Sequence, residues 1–170
     1  PSIIEKDIYF AARHCRRQRR VFLADGDSLI IPQSGLLDLL GAIRTHLPWV
    51  TRVGIYGNAK SIRSKGDEEL KALRDHGLGI VYMGLETGDD STLTKIRKGV
   101  RADTMVDMGR RIVAADMKLS VTVLLGIAGV ARSQIHAEAT GRALTRMNPD
   151  YVGALSLIPL PNTPMGRDYQ

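Results

Sequence analysis

Five short apolar runs, "RVFLA" (20–24), "RVGIY" (52–56), "GIVYMG" (79–84), "LSVTVLL" (119–125) and "YVGALSLI" (151–158), alternate with stretches of helical period. Runs of this length and β-branched content suit buried strands. Between them, Leu36, Leu37, Leu40, Ile43 and Leu47 share one helical face that ends before Pro48. "DEELKALRDHG" puts acids in its first turn and Gly77 where a left-handed cap is wanted. A short helix is predicted from Asp90 to Lys98, stopped by Gly99, and a longer one buries Met105, Met108, Gly109, Ile112 and Ala115. A last helix is expected to start from Ser133 as N-cap and to bury Ile135, Ala139, Ala143 and Met147. At the front, Ile4, Ile8, Ala11, Ala12 and Cys15 form a similar stripe.

Apolar strands separated by helices pair in parallel through right-handed crossovers. The fold class is therefore α/β, as a doubly wound open sheet or as part of a (β/α) barrel. Such a chain ordinarily opens on a strand. This one opens on a helix, so a first strand is expected to be missing.

The chain has 170 residues, no internal repeat, 44% hydrophobic and 25% charged residues, the profile of one folded domain over 1–170. No apolar run nears the roughly 20 residues that span a bilayer, and the first twenty residues lack the order of a signal peptide. A cytoplasmic location and no membrane partner are expected. The single cysteine, Cys15, cannot form an internal disulfide or a cysteine metal site alone.

Net charge is +6, with Arg13, Arg16, Arg17, Arg19 and Arg20 clustered. Placed in the last turns of a helix, these arginines complement its dipole, and no aromatics interleave with them to stack bases. That placement disfavours a nucleic-acid partner.

In parallel α/β folds, chemistry gathers at the carboxyl ends of the strands. Here those ends carry Asp25, Gly26 and Asp27; Gly57 and Asn58; Glu86, Thr87 and Gly88; Thr122 with Gly126; and Pro159 to Pro161. Asp25 to Asp27 and Asn58 also suit plain turns, and Gly88 to Asp90 suits a helix start. Glu86 is different: a carboxylate ending a buried strand must find donors or a ligand. The four histidines, His14, His46, His76 and His136, are not spaced as metal ligands or triad members, and no phosphate-cradling glycine motif is present.

Together, "FLADGDSL", "IYGNAKSI", "YMGLETGDDSTLTKIRKGV", "VTVLLGIAG" and "LSLIPLPNTPM" resemble the strand-end motifs of radical S-adenosylmethionine (SAM) enzymes. The resemblance spans nearly the whole chain and implies a partial (β/α) barrel, from that family's second strand to its sixth. It implies SAM as cofactor. Asp25, Gly26 and Asp27 stand where the family's Gly-Gly-Glu motif holds the methionine ammonium. Asn58 would lie beside the ligand, Glu86 would accept from the ribose hydroxyls, and Lys98 would meet the methionine carboxylate. Thr122 would face the pocket, Gly126 would let backbone pass close, and Ile158 and Pro159 would line the adenine.

The family holds a [4Fe-4S] cluster by three cysteines after its first strand, and this sequence has only Cys15. The resemblance thus implies the core of a larger enzyme that cleaves SAM to a 5′-deoxyadenosyl radical, with the cluster in the full-length parent only. The chain alone is expected to be inactive, with no assigned catalytic residue and no metal. An unpaired strand edge at Val21 to Ala24 is expected to drive self-association. The competing readings are a Mg²⁺-dependent barrel hydrolase or aldolase using Asp25, Asp27 and Glu86, a basic nucleic-acid module, and a half-barrel that works only as an assembly.

Overall fold

The computed structural model describes residues 3–168. The elements are α1 (Ile3–His14), β1 (Arg20–Leu23), α2 (Gln33–His46), β2 (Arg52–Tyr56), α3 (Ala59–Arg63), α4 (Asp67–Asp75), β3 (Leu78–Glu86), α5 (Asp90–Lys95), α6 (Ala102–Ala114), β4 (Lys118–Leu125), α7 (Ser133–Met147), β5 (Tyr151–Ser156) and α8 (Pro164–Asp168). No described helix is long and apolar enough to cross a membrane.

All five strands are parallel and lie in chain order, β1 to β5. That order decides between the two architectures left open by the sequence. A doubly wound sheet reverses its strand order at a switch point. Here each crossover steps the same way, so a constant handedness puts the helices on one face. The architecture is a partial β/α barrel, an open sheet with helices on its outer side.

Side-chain alternation records the two faces. Val53, Ile55, Val81, Met83, Leu85, Leu119, Val121 and Val123 point outward and form one buried core with Leu36, Leu40, Leu70, Leu73, Met105 and Ile112 of the helices. The paired residues on the other face are of a different kind. Phe22, Tyr56 and Tyr82 meet edge to face, and Gly54 lies so close beneath Phe22 and Ile80 that a Cβ there would press on both. Ser120 and Thr122 continue that inner face, beside Gly153 of β5.

Several local expectations are corrected. Of the clustered arginines only Arg13 lies in α1; Arg16 reaches back to donate to the Ala12 carbonyl of its last turn, while Arg17 and Arg19 lie beyond it and Arg20 opens β1, so the helix end accounts for only part of the patch. Cys15 also lies just past α1, its N–H capping the Ala11 carbonyl. The helix begun at Asp90 ends at Lys95, where Ile96 caps it, and not at Lys98. Ser133 is the first helical residue of α7 and not its cap. The buried stripe of α7 is His136, Thr140, Ala143 and Met147, while Ile135 is 46% exposed. In α1, Ile8 is buried and Ile4 is exposed. The short helices α3 and α8 were not anticipated.

Candidate functional site

The carboxyl ends of the strands form one rim: Asp25, Gly26 and Asp27 follow β1, Asn58 follows β2, Glu86 closes β3 and Gly126 follows β4, while Thr122 lies inside β4. After β1 the chain turns through two consecutive left-handed residues, Asp25 (φ 86°) and Gly26 (φ 68°). Ser28, buried below, donates its hydroxyl to the Ala24 carbonyl at 2.7 Å and closes the corner. A glycine makes such a turn cheaply; Asp25 does so at a cost on the order of 1 kcal/mol.

This corner aims Asp27 at the end of β2. Asp27 Oδ1 accepts from the Ser61 hydroxyl at 2.8 Å and from the Asn58 N–H at 3.2 Å. Its second oxygen, Oδ2, is buried with no hydrogen-bond partner. Asn58 is the N-cap of α3: its Oδ1 accepts from the N–H groups of Lys60 (2.7 Å) and Ser61 (3.1 Å), and Ser61 Oγ accepts from its N–H. The capping box and the Asp27 contact thus share Ser61. Sequence reasoning missed this serine, although a serine three residues after an asparagine was its signal.

At the end of β3, Glu86 adopts φ 61°, and the N–H of Thr87 donates to the Leu85 carbonyl at 2.7 Å. Glu86 is the centre of a γ-turn of the rare positive-φ kind, with strain on the order of 1 to 3 kcal/mol. The register with β4 shifts here too, between Gly84 and Glu86. As a result the carboxylate folds back over Gly84, where any Cβ would overlap Glu86 Oε1. Lys98 Nζ donates to that oxygen at 2.7 Å, with the two side chains, Lys98 and Glu86, 24% and 19% exposed.

Thr122 stands on β4 between Gly84 of β3 and Gly153 of β5, so small residues flank it on both sides. Gly126 follows β4 with φ 88°. The ladder runs on past β5, with the Leu157 N–H donating to the Leu125 carbonyl at 2.9 Å, and brings Ile158 and Pro159 to the outer end of the rim. Ile158 is 77% exposed there. The structure therefore joins Asp27 to Asn58 and Glu86 to Lys98 directly, sets Thr122 on the neighbouring strand, and leaves Gly126, Ile158 and Pro159 further along.

Behind the rim lies a polar cluster that the sequence did not reveal. Asp89 caps α5 through the N–H groups of Ser91 and Thr92 (both 3.3 Å) and is held by Arg132 through two bonds of 2.9 Å. The Arg132 guanidinium, then the Thr92 hydroxyl and the Ser91 N–H, hold its carboxyl far below the usual aspartate range, against the opposing effect of burial. Thr87, Thr92, His136 and Thr140 complete this buried group.

Among the described residues no three His, Cys, Asp or Glu side chains gather as a metal site. Asp25, Asp27 and Glu86 do not converge, so the Mg²⁺ hydrolase reading has no ligand set. Cys15 lies before β1, at the end of the strands away from the rim, its carbonyl accepting from Trp49 Nε1, and one cysteine does not fit an iron–sulfur cluster.

No protein-family model and no curated protein matches this sequence. Solved structures do. Coproporphyrinogen III oxidase (HemN) from Escherichia coli, a radical SAM enzyme, superposes with a TM-score of 0.75 at 13% identity, covering 93% of this chain and 36% of that one. The fold is that of the radical SAM enzymes. The methylornithine synthase PylB matches with a TM-score of 0.70 at 16% identity, over 94% of this chain and 45% of that one. The radical SAM methyltransferase TsrM from Kitasatospora setae gives 0.71 at 17% identity, over 96% and 32%. The chain thus spans less than half the length of each of these structures.

Proposed function

We propose that this rim binds S-adenosylmethionine, as the core of a radical SAM enzyme. The observation that carries the reading is the orphaned Asp27 Oδ2. A buried carboxylate oxygen without a donor costs free energy, and a ligand ammonium supplies the missing donor together with the matching charge. Asn58 flanks that corner. Glu86 accepts from the ribose hydroxyls, Lys98 meets the methionine carboxylate, Thr122 faces the ligand, Gly126 lets backbone pass close to it, and Ile158 and Pro159 line the adenine. The Glu86–Lys98 pair keeps both groups satisfied until the ligand arrives.

When bound to a reduced cluster, SAM supplies a 5′-deoxyadenosyl radical. These residues do not fit that cluster, so its ligands come from outside them in this reading, and the chain alone does not cleave SAM. Its own residues bind and orient. A cavity of about 660 Å³ lies beside β1, lined by Ile4, Ile8, Val21, Leu23 and Ile43 and reaching Asp27. We propose that the edge at Val21 to Ala24 pairs with another copy where nothing else covers it; sedimentation showing a monomer at every concentration would rule that out.

Calorimetry with SAM and with 5′-methylthioadenosine, which lacks the amino-acid part, tests the site. Asp27→Asn is expected to weaken SAM about tenfold or more, the loss of one charge-assisted bond, and to leave methylthioadenosine unchanged. Equal SAM affinity in both proteins would overturn the reading.

A further inference from the structure

We infer that His136, on α7, is a positioning residue that holds the Glu86 carboxylate on the rim. The inference rests on the reading of Glu86 as a ligand-binding group. Backbone strain of the kind seen at Glu86 persists only where the surroundings over-determine it. The surroundings here are three consecutive residues, each tied to α7 or to the turn that leads into it.

Thr87, fully buried, is the first tie. Its Oγ1 accepts from the Asp89 N–H at 3.0 Å, and among the described residues the one acceptor within reach of its own proton is His136 Nδ1, 2.7 Å away. That assignment leaves Nδ1 as the acceptor and puts the ring hydrogen on Nε2. Gly88 is the second tie: its N–H donates to Thr140 Oγ1 at 2.9 Å, and any Cβ on it would overlap the Ala139 carbonyl. Asp89, gripped by Arg132, is the third. The Leu85–Thr87 turn cannot relax without breaking the His136–Thr87 bond, because among the described residues the Thr87 hydroxyl has no other acceptor for its proton. Relaxation of that turn would swing Glu86 off Gly84 and away from Lys98.

His136 and Thr140 share the buried face of α7 with the apolar Ala143 and Met147. A buried imidazole needs a hydrogen-bond partner, and Thr140, one turn along the same helix at 3.4 Å, is the local one. The bond to Thr87 instead reaches the residue next to Glu86, and it spans 49 positions of sequence.

The test uses the chain with ¹³C-labelled glutamate, the Glu86 carboxyl signal being assigned by its loss in Glu86→Gln. Thr87→Val and His136→Phe keep volume and remove the bond; Thr87→Ser and His136→Asn keep a hydroxyl and an acceptor at the Nδ1 position. The first two are expected to move the Glu86 carboxyl signal and weaken SAM about tenfold, the effect of one misplaced polar contact. The second two are expected to restore both. The double variant Thr87→Val/His136→Phe should match the worse single variant. Should His136→Phe not fold, His136→Gln, polar but too long to place its acceptor there, carries the same expectation.

A lowered melting point with an unmoved Glu86 signal in the folded protein would mean that His136 only packs, and would overturn the inference. Additive effects in the double variant would overturn it as well. If the unaltered chain fails to bind SAM, the proposed function falls, while the Glu86 signal still decides whether His136 positions that carboxylate.

Discussion

Lys98 Nζ donates to Glu86 Oε1 at 2.7 Å across a separation of twelve residues, bridging the end of β3 and the loop after α5. Both side chains are partly buried, so the pair falls between an exposed ion pair and a desolvated one. Lys98→Gln is expected to cost about 1 to 2 kcal/mol of folding stability. Urea denaturation of Lys98→Gln, Glu86→Gln and the double variant checks this, and the coupling energy of the cycle should account for most of either single loss.

Gly84 lies directly under that pair. A Cβ at position 84 would overlap Glu86 Oε1 and stand 3.3 Å from Lys98 Nζ. The obstructing atom is the end of a long side chain, so the fold yields there easily. Gly84→Ala is expected to change stability by less than about 1 kcal/mol, since alanine also restricts the unfolded chain, while displacing the carboxylate and lowering SAM affinity at least as much as Lys98→Gln does. Unchanged affinity would show that the carboxylate's position is irrelevant to binding.

Asp27 offers the opposite balance of stability and binding. Its Oδ1 is satisfied by Ser61 and Asn58, whereas Oδ2 is buried and unpartnered. Asp27→Asn keeps the satisfied oxygen and removes a buried charge. The ligand-free variant is therefore expected to melt at or above the temperature of the unaltered chain, by up to about 1 kcal/mol of added stability. In saturating SAM the order should reverse, because only the carboxylate gains from the ammonium. Paired melting curves with and without ligand read both halves.

Much of the fold could be read from the sequence because parallel strands with apolar or aromatic side chains on both faces leave near-continuous apolar runs. The runs ending at Ala24, Tyr56 and Leu125 show this. Glu86 was legible for the same reason, as a charge where the run stops. What could not be read depends on contacts distant in sequence. The periodicity of α7 placed Ala143 and Met147 correctly but favoured Ile135 and Ala139 in its first half, where His136 and Thr140 turn inward to meet Thr87 and Gly88. No apolar pattern announces a helix face chosen for its hydrogen bonds. The γ-turn at Glu86 leaves no mark either, since glutamate carries none of glycine's usual licence for positive φ. The five-residue α3 is too short to show a period, although its cap at Asn58 and Ser61 is written locally.

Asp89 and Arg132 make stability depend on pH in a defined direction. The guanidinium holds the Asp89 carboxyl far below the range of a free aspartate, about 3.9. Between the two values the unfolded chain binds a proton that the folded chain does not, so stability rises with pH in that interval. The contribution is fully present above about pH 4 to 5 and is lost as the pH falls toward the folded value. Arg132→Gln removes the main cause of the depression. Its deficit relative to the unaltered chain is expected to be constant from about pH 8 down to about 5 and to shrink steadily below about 4. Denaturation series at about pH 7, 5, 4 and 3 check it. A deficit that stays the same at the most acidic of these would mean that Arg132 acts through the packing of the β4–α7 connection to which it belongs and not through the charge of Asp89.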